Sequence, residues 1–566
     1  MNDAQPQPGW SDWIPGAAIL RSYRRADLGR DLVSGLVVAL VLIPSAIAYA
    51  DLAKCSPISG LYAALAGMIT YALFTSSRHV ICGPDAAVAI MVGAAIGPLA
   101  QGDPGKVVAL SAWLAMLVAA ILIVAAVLRL GGAAEFLSAP VMLGFMNGAA
   151  IVILVSQLGK FAGIPLHEEN TLLKLLEWIK HLPETHLPTL AFGAVGLAIL
   201  LALRRYRPKV PGSIVVFGLA LLAGLAFDLP SHGISVIGTV DTQLPSPVPP
   251  ELEVADVGNL AIAALGLAML IFPEGILLSR AMANRHGYEV RPNRELVALG
   301  LANLAAGMLR SFSVGGSQSR TLLNSSTGGR TQLVSLVAAA LLVAFVVFLG
   351  SWIASLANAA IGAILIFTAI TLVDAREQRR LWAMHRPSAW ISILTSVGVV
   401  ALGVLPGILV GVMLSLLKVL SQISHPHDAL LGRIPGDIRM HDVGDEASAK
   451  TIPGLVVYRF YGPLLFANVR FFVERLEHFV ASEQEPVRRV ILDARSIPDL
   501  DVTAAEQVKA MIDRLKARGI EVVIVEAHLP LRQAAERLGL EGTGDASQYH
   551  IKLTDAVAEF ERASVE

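Results

Sequence analysis

The stretch "SFSVGGSQSRTLLNSSTGGRTQ" (residues 311–332) interrupts a chain that is otherwise largely apolar, and its reading decides the fold. It holds six serines, four glycines, three threonines and two arginines, Arg320 and Arg330, between long hydrophobic runs. In a soluble protein this would be a surface loop. Between membrane segments it puts irregular backbone and charge at bilayer depth, where they are tolerated only if protein buries them or water bathes them.

Composition places the stretch in the second setting. The 566 residues are 55% hydrophobic and 16% charged, with mean hydropathy +0.63, whereas soluble domains carry about 25% charged residues. Apolar runs near the roughly 20 residues that span a bilayer recur at 33–50, 107–128, 187–203, 212–228, 258–279, 331–350 and 387–404. These runs and shorter ones give fourteen expected membrane segments between residues 31 and 424. A formal charge of −1 implies no nucleic-acid partner. Cys55 and Cys82 form neither a disulfide framework nor a metal-ligand set. The polar N-terminus lacks an early apolar h-region, so no cleaved signal peptide is expected. No phosphate-binding loop or catalytic constellation occurs, which excludes an ATP-driven pump, gives no reason to expect an enzyme, and implies no cofactor.

Basic residues orient the segments. With both termini cytoplasmic, the inside collects twenty of them, including Arg204, Arg205, Arg207 and Lys209, against six outside: Lys54, Lys106, Lys160, Lys174, Lys180 and Arg310. The expected location is the inner (plasma) membrane. Near residue 425 the chain turns charged. Strand patterns at 454–466, 488–497 and 520–527 then alternate with helical ones at 468–482 and 504–519, the last stopped by Gly519. The expected organisation is a cytoplasmic N-terminal segment (1–30), a membrane domain (31–424), a linker (425–450) and a small α/β domain (451–566).

Two short segments share an outline of β-like residues, glycine and a small-residue helix. Val80-Ile81-Cys82-Gly83 matches Ser313-Val314-Gly315-Gly316, and upstream "LIPSAI" (42–47) matches "IFPEGI" (271–276). Related halves of seven segments each would be inverted, and glycine-interrupted segments at corresponding positions point to a transporter site. Two half-helices starting mid-membrane direct their N-termini, each about half a positive charge, at one cavity. The first N–H groups after Gly83 and Gly316 lack intrahelical acceptors. Ser317, Ser319 and Arg320 add hydroxyls and a full charge. Everything there favours an anion; Arg320 paired with Asp85 is the structural alternative.

These residues resemble the sulfate permease (SLC26) family of anion transporters. The matching pieces are 31–64, "GPDAAVAI" (83–90), "NRELVALGLANLAAGM" (293–308) and "SRTLLNSSTGGRTQ" (319–332). The tail resembles that family's STAS domain through "VILDARSIPDLDVTAAEQVKAM" (490–511). The resemblance implies a polytopic α-helical protein of two inverted seven-segment repeats, a core domain moving against a gate domain, a cytoplasmic STAS domain and a homodimer. It places a small anion between the two half-helix N-termini, near Ser45, Ala86, Ala87, Gly316, Ser317, Ser319 and Arg320. Ser45 stands where the family often has a longer Gln. Lys54 stands where a small residue is usual. Sodium-coupled relatives carry Asp with Thr four residues on; here Glu274 is followed at that spacing by Leu278, which does not make the same site. In STAS regulators a hydroxyl near Thr503 is phosphorylated, but "DVTAAE" lacks their Asp-Ser-Ser, and Asp493 and Asp501 complete an unremarkable loop.

Glu274 is a carboxyl within "LAMLIFPEGILLS", a functional candidate by default at this depth. Burial favours its neutral form and a nearby Arg320 its ionised form, so anion arrival and proton uptake can influence each other. A fixed salt bridge between Glu274 and Arg320 is the alternative, and His79 and Asp85 are weaker candidates for the proton. The expected function is proton-coupled symport of sulfate or a C4-dicarboxylate such as fumarate. The other readings are a bicarbonate transporter, an anion exchanger, or an uncoupled channel or sensor on the same fold.

Overall fold

The computed structural model describes Gly16 and residues 23–132, 138–208, 210–238, 257–537 and 552–563, and forms two compact units that divide at Leu414–Ser415. Most of the expected N-terminal segment 1–30 lies outside the described residues.

In the first unit the same order of elements occurs twice. The first half contains α1 (Leu28–Leu52), α2 (Pro57–Phe74), β1 (Cys82–Gly83), α3 (Ala86–Ala100), α4 (Pro104–Val127) and α5 (Ala139–Ala162). It continues with the ten-residue α6 (Thr171–Lys180), then α7 (Leu187–Tyr206) and α8 (Gly212–Ala226). The second contains α9 (Val257–His286), α10 (Pro292–Met308), β2 (Gly315–Gly316), α11 (Gln318–Thr327), α12 (Leu333–Leu349) and α13 (Asn358–Leu372). It ends with the ten-residue α14 (Ala375–Met384), α15 (Arg386–Leu402) and α16 (Val404–Ser424). Even the interior prolines correspond, Pro44 in α1 and Pro273 in α9. Among the described residues nine helices are long and apolar enough to span a membrane, and α3, α8 and α15 are shorter apolar helices. β1 and β2 pair antiparallel, Cys82 with Gly316 and Gly83 with Gly315, as inversion of one half against the other requires.

Packing separates two groups. The first four membrane elements of each half pack together, α10 on α4 and α2, α12 on α1 and α2, and α9 on α4 and α3. The remaining elements gather around α5, which packs on α13 and α15, with α7 on α13. Small residues set these distances. A Cβ at Gly60 would lie 2.0 Å from Ala46 O, and one at Gly93 2.2 Å from Leu52 O, so α2 and α3 approach α1 through backbone. In lipid, where helix association gains little from the hydrophobic effect, such close packing carries the stability.

The second unit has a five-stranded sheet ordered β4-β3-β5-β6-β7: β3 (Asp428–Arg433), β4 (Met440–Asp442), β5 (Leu455–Phe460), β6 (Arg489–Asp493) and β7 (Glu521–Val525). β5, β6 and β7 are parallel, joined through α17 (Val469–Ser482) and α18 (Val502–Ala517). Two further helices follow, α19 (Leu529–Arg537) and α20 (Leu553–Ala563). Strand alternation divides the core: Val456, Tyr458 and Phe460 face α17 and α18, while Leu455 and Val457 face Leu553, Val557 and Phe560 of α20.

The expected linker 425–450 is corrected here. It contains β3, whose residues 428–431 pair antiparallel with β5, and β4 beyond it. Of the first four residues of β3, Ala429 and Leu431 are buried on the α20 face and Leu430 packs partly against the opposite core, so the strand shows a short apolar run and not a clear alternation. We therefore expect fragment 425–566 to fold alone with a cooperative thermal transition, and fragment 451–566, with β5 left as an open edge, to aggregate. Equal melting of the two would refute the assignment.

Candidate anion-binding site at the β1–β2 junction

The broken segments are stabilised by side-chain amides that replace the missing backbone partners. Asn303 on α10 holds the approach to β2, accepting from Val314 N (3.0 Å) and donating to Val314 O (2.9 Å). Gln332 donates to Ser77 O and Val80 O, both at 2.9 Å, and Asn324 to His79 O at 2.8 Å, fixing the approach to β1. Thr321 Oγ1 accepts from Ile81 N (3.0 Å), and Ser317 N donates to Ile81 O (2.9 Å). Every one of these residues is buried. An unpaired backbone group here would cost several kcal/mol, roughly as in hydrocarbon, which explains why polar residues populate a stretch at membrane depth.

At the junction Gly316 pairs with Cys82, and the helix starts that carry Ala86 and Ala87 on α3 and Ser317, Ser319 and Arg320 on α11 follow within a few residues of the paired strands. Arg320, only 1% exposed, crosses from α11 to the other half and donates from Nη2 to Pro84 O at 2.5 Å. Its guanidinium lies against Gly83, where a Cβ would be 3.4 Å from Nη2. Its Nε is buried with no hydrogen-bond partner. Among the described residues neither Asp85 nor Glu274 forms an ion pair with it within 4 Å; the Asp85 carboxylate nevertheless lies within electrostatic reach of the guanidinium, and Glu274 does not.

The two helix N-termini differ. Asp85 caps α3, its Oδ2 accepting from Ala87 N at 3.1 Å, so this donor is not open as expected. Ser317 precedes α11 without capping it, its Oγ instead lying 3.3 Å from Ser319 Oγ. The N–H groups of Gln318, Ser319 and Arg320 therefore have no acceptor among the described residues. Positive charge left unpartnered is concentrated on α11.

Glu274 and Ser45 lie on flanking helices. α9 packs on α3 and β2, and a Cβ at Gly316 would be 3.5 Å from Gly275 Cα, the residue after Glu274. Glu274 is half-buried and makes no hydrogen bond or ion pair among the described residues; the carboxyl within electrostatic reach is Asp85. Ser45 Oγ is engaged by its own helix, donating to Val41 O (2.9 Å) or Leu42 O (3.0 Å). His79 belongs to another cluster, stacked on His286 with ring centroids 4.0 Å apart. In the second unit Asp493 is fully buried in an ion pair with Arg459 (2.6 Å) and Asp501 caps α18, accepting from Ala504 N (2.7 Å), so both are structural.

Sequence reading missed Glu295. This α10 carboxylate is completely buried and accepts from Tyr71 Oη (2.5 Å), Thr75 Oγ1 (2.9 Å), Ser76 N (2.7 Å), Ser76 Oγ (2.6 Å) and Ser279 Oγ (3.1 Å). It ties the end of α2 to α9 and α10. In sequence it reads as an ordinary acid in a first helical turn. Hydrogen bonds to a charged group contribute about 1.5–3 kcal/mol each. Glu295→Gln places an amide donor among donors, so we expect the melting temperature of the purified protein to fall by several degrees and its yield to drop. An unchanged melting curve would remove this structural role.

The sulfate permease family profile matches residues 28–395 and the STAS domain profile residues 446–555. A probable sulfate transporter of Mycobacterium tuberculosis is 38% identical over 550 residues, covering 97% of this chain and 98% of that one. The inward-facing structure of the murine solute carrier 26 family member A9 anion transporter superposes with TM-score 0.90 at 22% identity, covering 99% and 96% of the two chains. The transmembrane domain of a cyanobacterial bicarbonate transporter, BicA, superposes with TM-score 0.62 at 21% identity over 69% of this chain and 98% of that one. At those identities the structural likenesses speak for fold alone.

Proposed function

Since the chain belongs to the sulfate permease family, a family of transporters and not enzymes, we propose that it is a secondary active transporter of a small anion. Sulfate is favoured, the substrate named for its 38%-identical relative, with a C4-dicarboxylate such as fumarate next. The observation that carries the reading is Arg320: a buried guanidinium with one bond to Pro84 O, a partnerless Nε, and three free helix N–H groups beside it. An oxyanion with several acceptor oxygens satisfies such donors, and charge-assisted bonds are the stronger kind. On the opposite side, Asp85 on α3 repels it.

That repulsion gives the proton its part. Glu274 stands beside the junction with no cation paired to it among the described residues, so a proton taken up there lowers the negative charge that an arriving anion meets. Anion and proton then travel together as the α1–α4/α9–α12 group moves against the group around α5, the core and gate of an alternating-access cycle. In this reading the protein is a homodimer in the inner membrane with both termini cytoplasmic, and the STAS domain serves assembly and regulation.

The test is a panel of labelled sulfate, fumarate and bicarbonate in proteoliposomes with imposed pH and sodium gradients. The expected result is saturable uptake of one dianion, driven by an inward proton gradient and indifferent to sodium. Uptake indifferent to pH but dependent on internal anion would instead make the protein an exchanger. Uptake of none of the three would refute the reading.

A further inference from the structure

A separate cavity of about 830 Å³ opens where α1 ends. Its lining includes Asp51, Lys54, Gln157, Lys160, Glu169 and Lys174, and neither Arg320 nor any residue of α11. The lining charges are three ammonium groups against two carboxylates. Two of the ammonium groups are engaged: Lys54 Nζ with Glu169 Oε1 at 2.7 Å, and Lys160 with Asp51. Both pairs cross from the α1 side to the α5 side of the cavity. Lys174 is half-buried on α6, and its ammonium forms no hydrogen bond or ion pair among the described residues.

Lys54 is placed at some cost. Its backbone is left-handed, φ +57°, a conformation that costs of order 1 kcal/mol or more for a non-glycine residue. Its side chain runs over Gly97 of α3, where a Cβ would come within 2.3 Å of Nζ. Lys54 thus occupies a path that Gly97 keeps clear.

We propose that this cavity is a second anion site, a vestibule in which Lys174, with Lys54 and Lys160, collects a small oxyanion such as sulfate before it reaches the β1–β2 junction. The proposal rests on the anion-transport reading for its purpose, though not for its chemistry. Burial, followed by the neighbouring Lys54 ammonium, holds Lys174 below the ordinary lysine range, against the opposing pull of Glu169 and Glu177. α6 is a short amphipathic helix outside the spanning segments. A bound anion offsets both lowering causes, so occupancy keeps Lys174 protonated and unreactive toward acylating agents.

That consequence supplies the test. Full-length protein in lipid nanodiscs is treated with limiting N-hydroxysuccinimidyl acetate, in sulfate or in gluconate at equal ionic strength, and acetylation is read by peptide mass spectrometry. Sulfate should slow acetylation of Lys174 about threefold or more, as charge pairing at a partly buried site allows, and leave exposed Lys180 unchanged. The protection should persist in Arg320→Ala. Unprotected Lys174, or protection lost in Arg320→Ala, would overturn the proposal. Protection that persists in a protein moving no anion in liposomes would sink the transport reading and leave this site standing. In flux, Lys174→Gln should raise KM for sulfate entering from this face severalfold with kcat unchanged, and Lys174→Arg should restore it; an unaltered KM would overturn the collecting role.

Discussion

Replacing Arg320 with Ala should weaken anion binding by an order of magnitude or more while the protein still folds. The guanidinium is the one full positive charge at the junction among the described residues, and its loss leaves only the N–H groups at the start of α11 to attract an anion, against the Asp85 carboxylate that caps α3. A charge-assisted pair at a desolvated site contributes about 1.5–3 kcal/mol, and tenfold in affinity is about 1.4 kcal/mol. Folding should survive because the Arg320 side chain makes a single hydrogen bond among the described residues, to Pro84 O, while Asn303, Asn324 and Gln332 hold the broken segments. Labelled-sulfate binding to purified wild type and variant, with melting curves for both, separates the two effects. Unchanged affinity in a well-folded variant would move the site elsewhere.

Glu274→Gln should abolish proton-driven accumulation and spare anion binding. Gln mimics the protonated acid in shape and charge and cannot release a proton. Exchange of internal for external anion needs no net proton movement and should persist. A structural salt bridge would have made a different forecast, with Arg320 orphaned and binding impaired, but the guanidinium is directed to Pro84 O instead. The measurement is labelled-anion flux into proteoliposomes with and without a pH step. Accumulation that survives in the variant would eliminate Glu274 as the coupling residue and turn attention to Asp85.

The junction was legible because its signals are local and costly: paired glycines, an arginine in an apolar run, prolines at equivalent positions in both halves. Bilayer physics turns each of these residues, by its type and place in the chain alone, into a statement about burial or solvation. What escaped was whatever depends on a distant partner. Glu295 is meaningless without Tyr71, Thr75 and Ser76 from another helix and its end. Asp85 could be seen as a charge near the site, yet only the helix start shows that it consumes the Ala87 N–H and makes the two half-helices unequal. β3 escaped for the same reason, since a strand whose paired stretch is only four residues long, Asp428 to Leu431, is defined by β5. Ser45, read as a ligand group, has its hydroxyl engaged by the carbonyls of its own helix.

In the proposed reading the anion sits against α11 and Arg320, where the two half-helices meet. Selenate has the shape and charge of sulfate and carries an anomalous scatterer, so crystals of the full-length protein grown with it would locate the anion directly. A selenium peak is expected within hydrogen-bonding reach of the Arg320 guanidinium and the N–H groups of Gln318 and Ser319. A peak confined to the Lys174 vestibule or elsewhere, with the junction empty at saturating selenate, would contradict it.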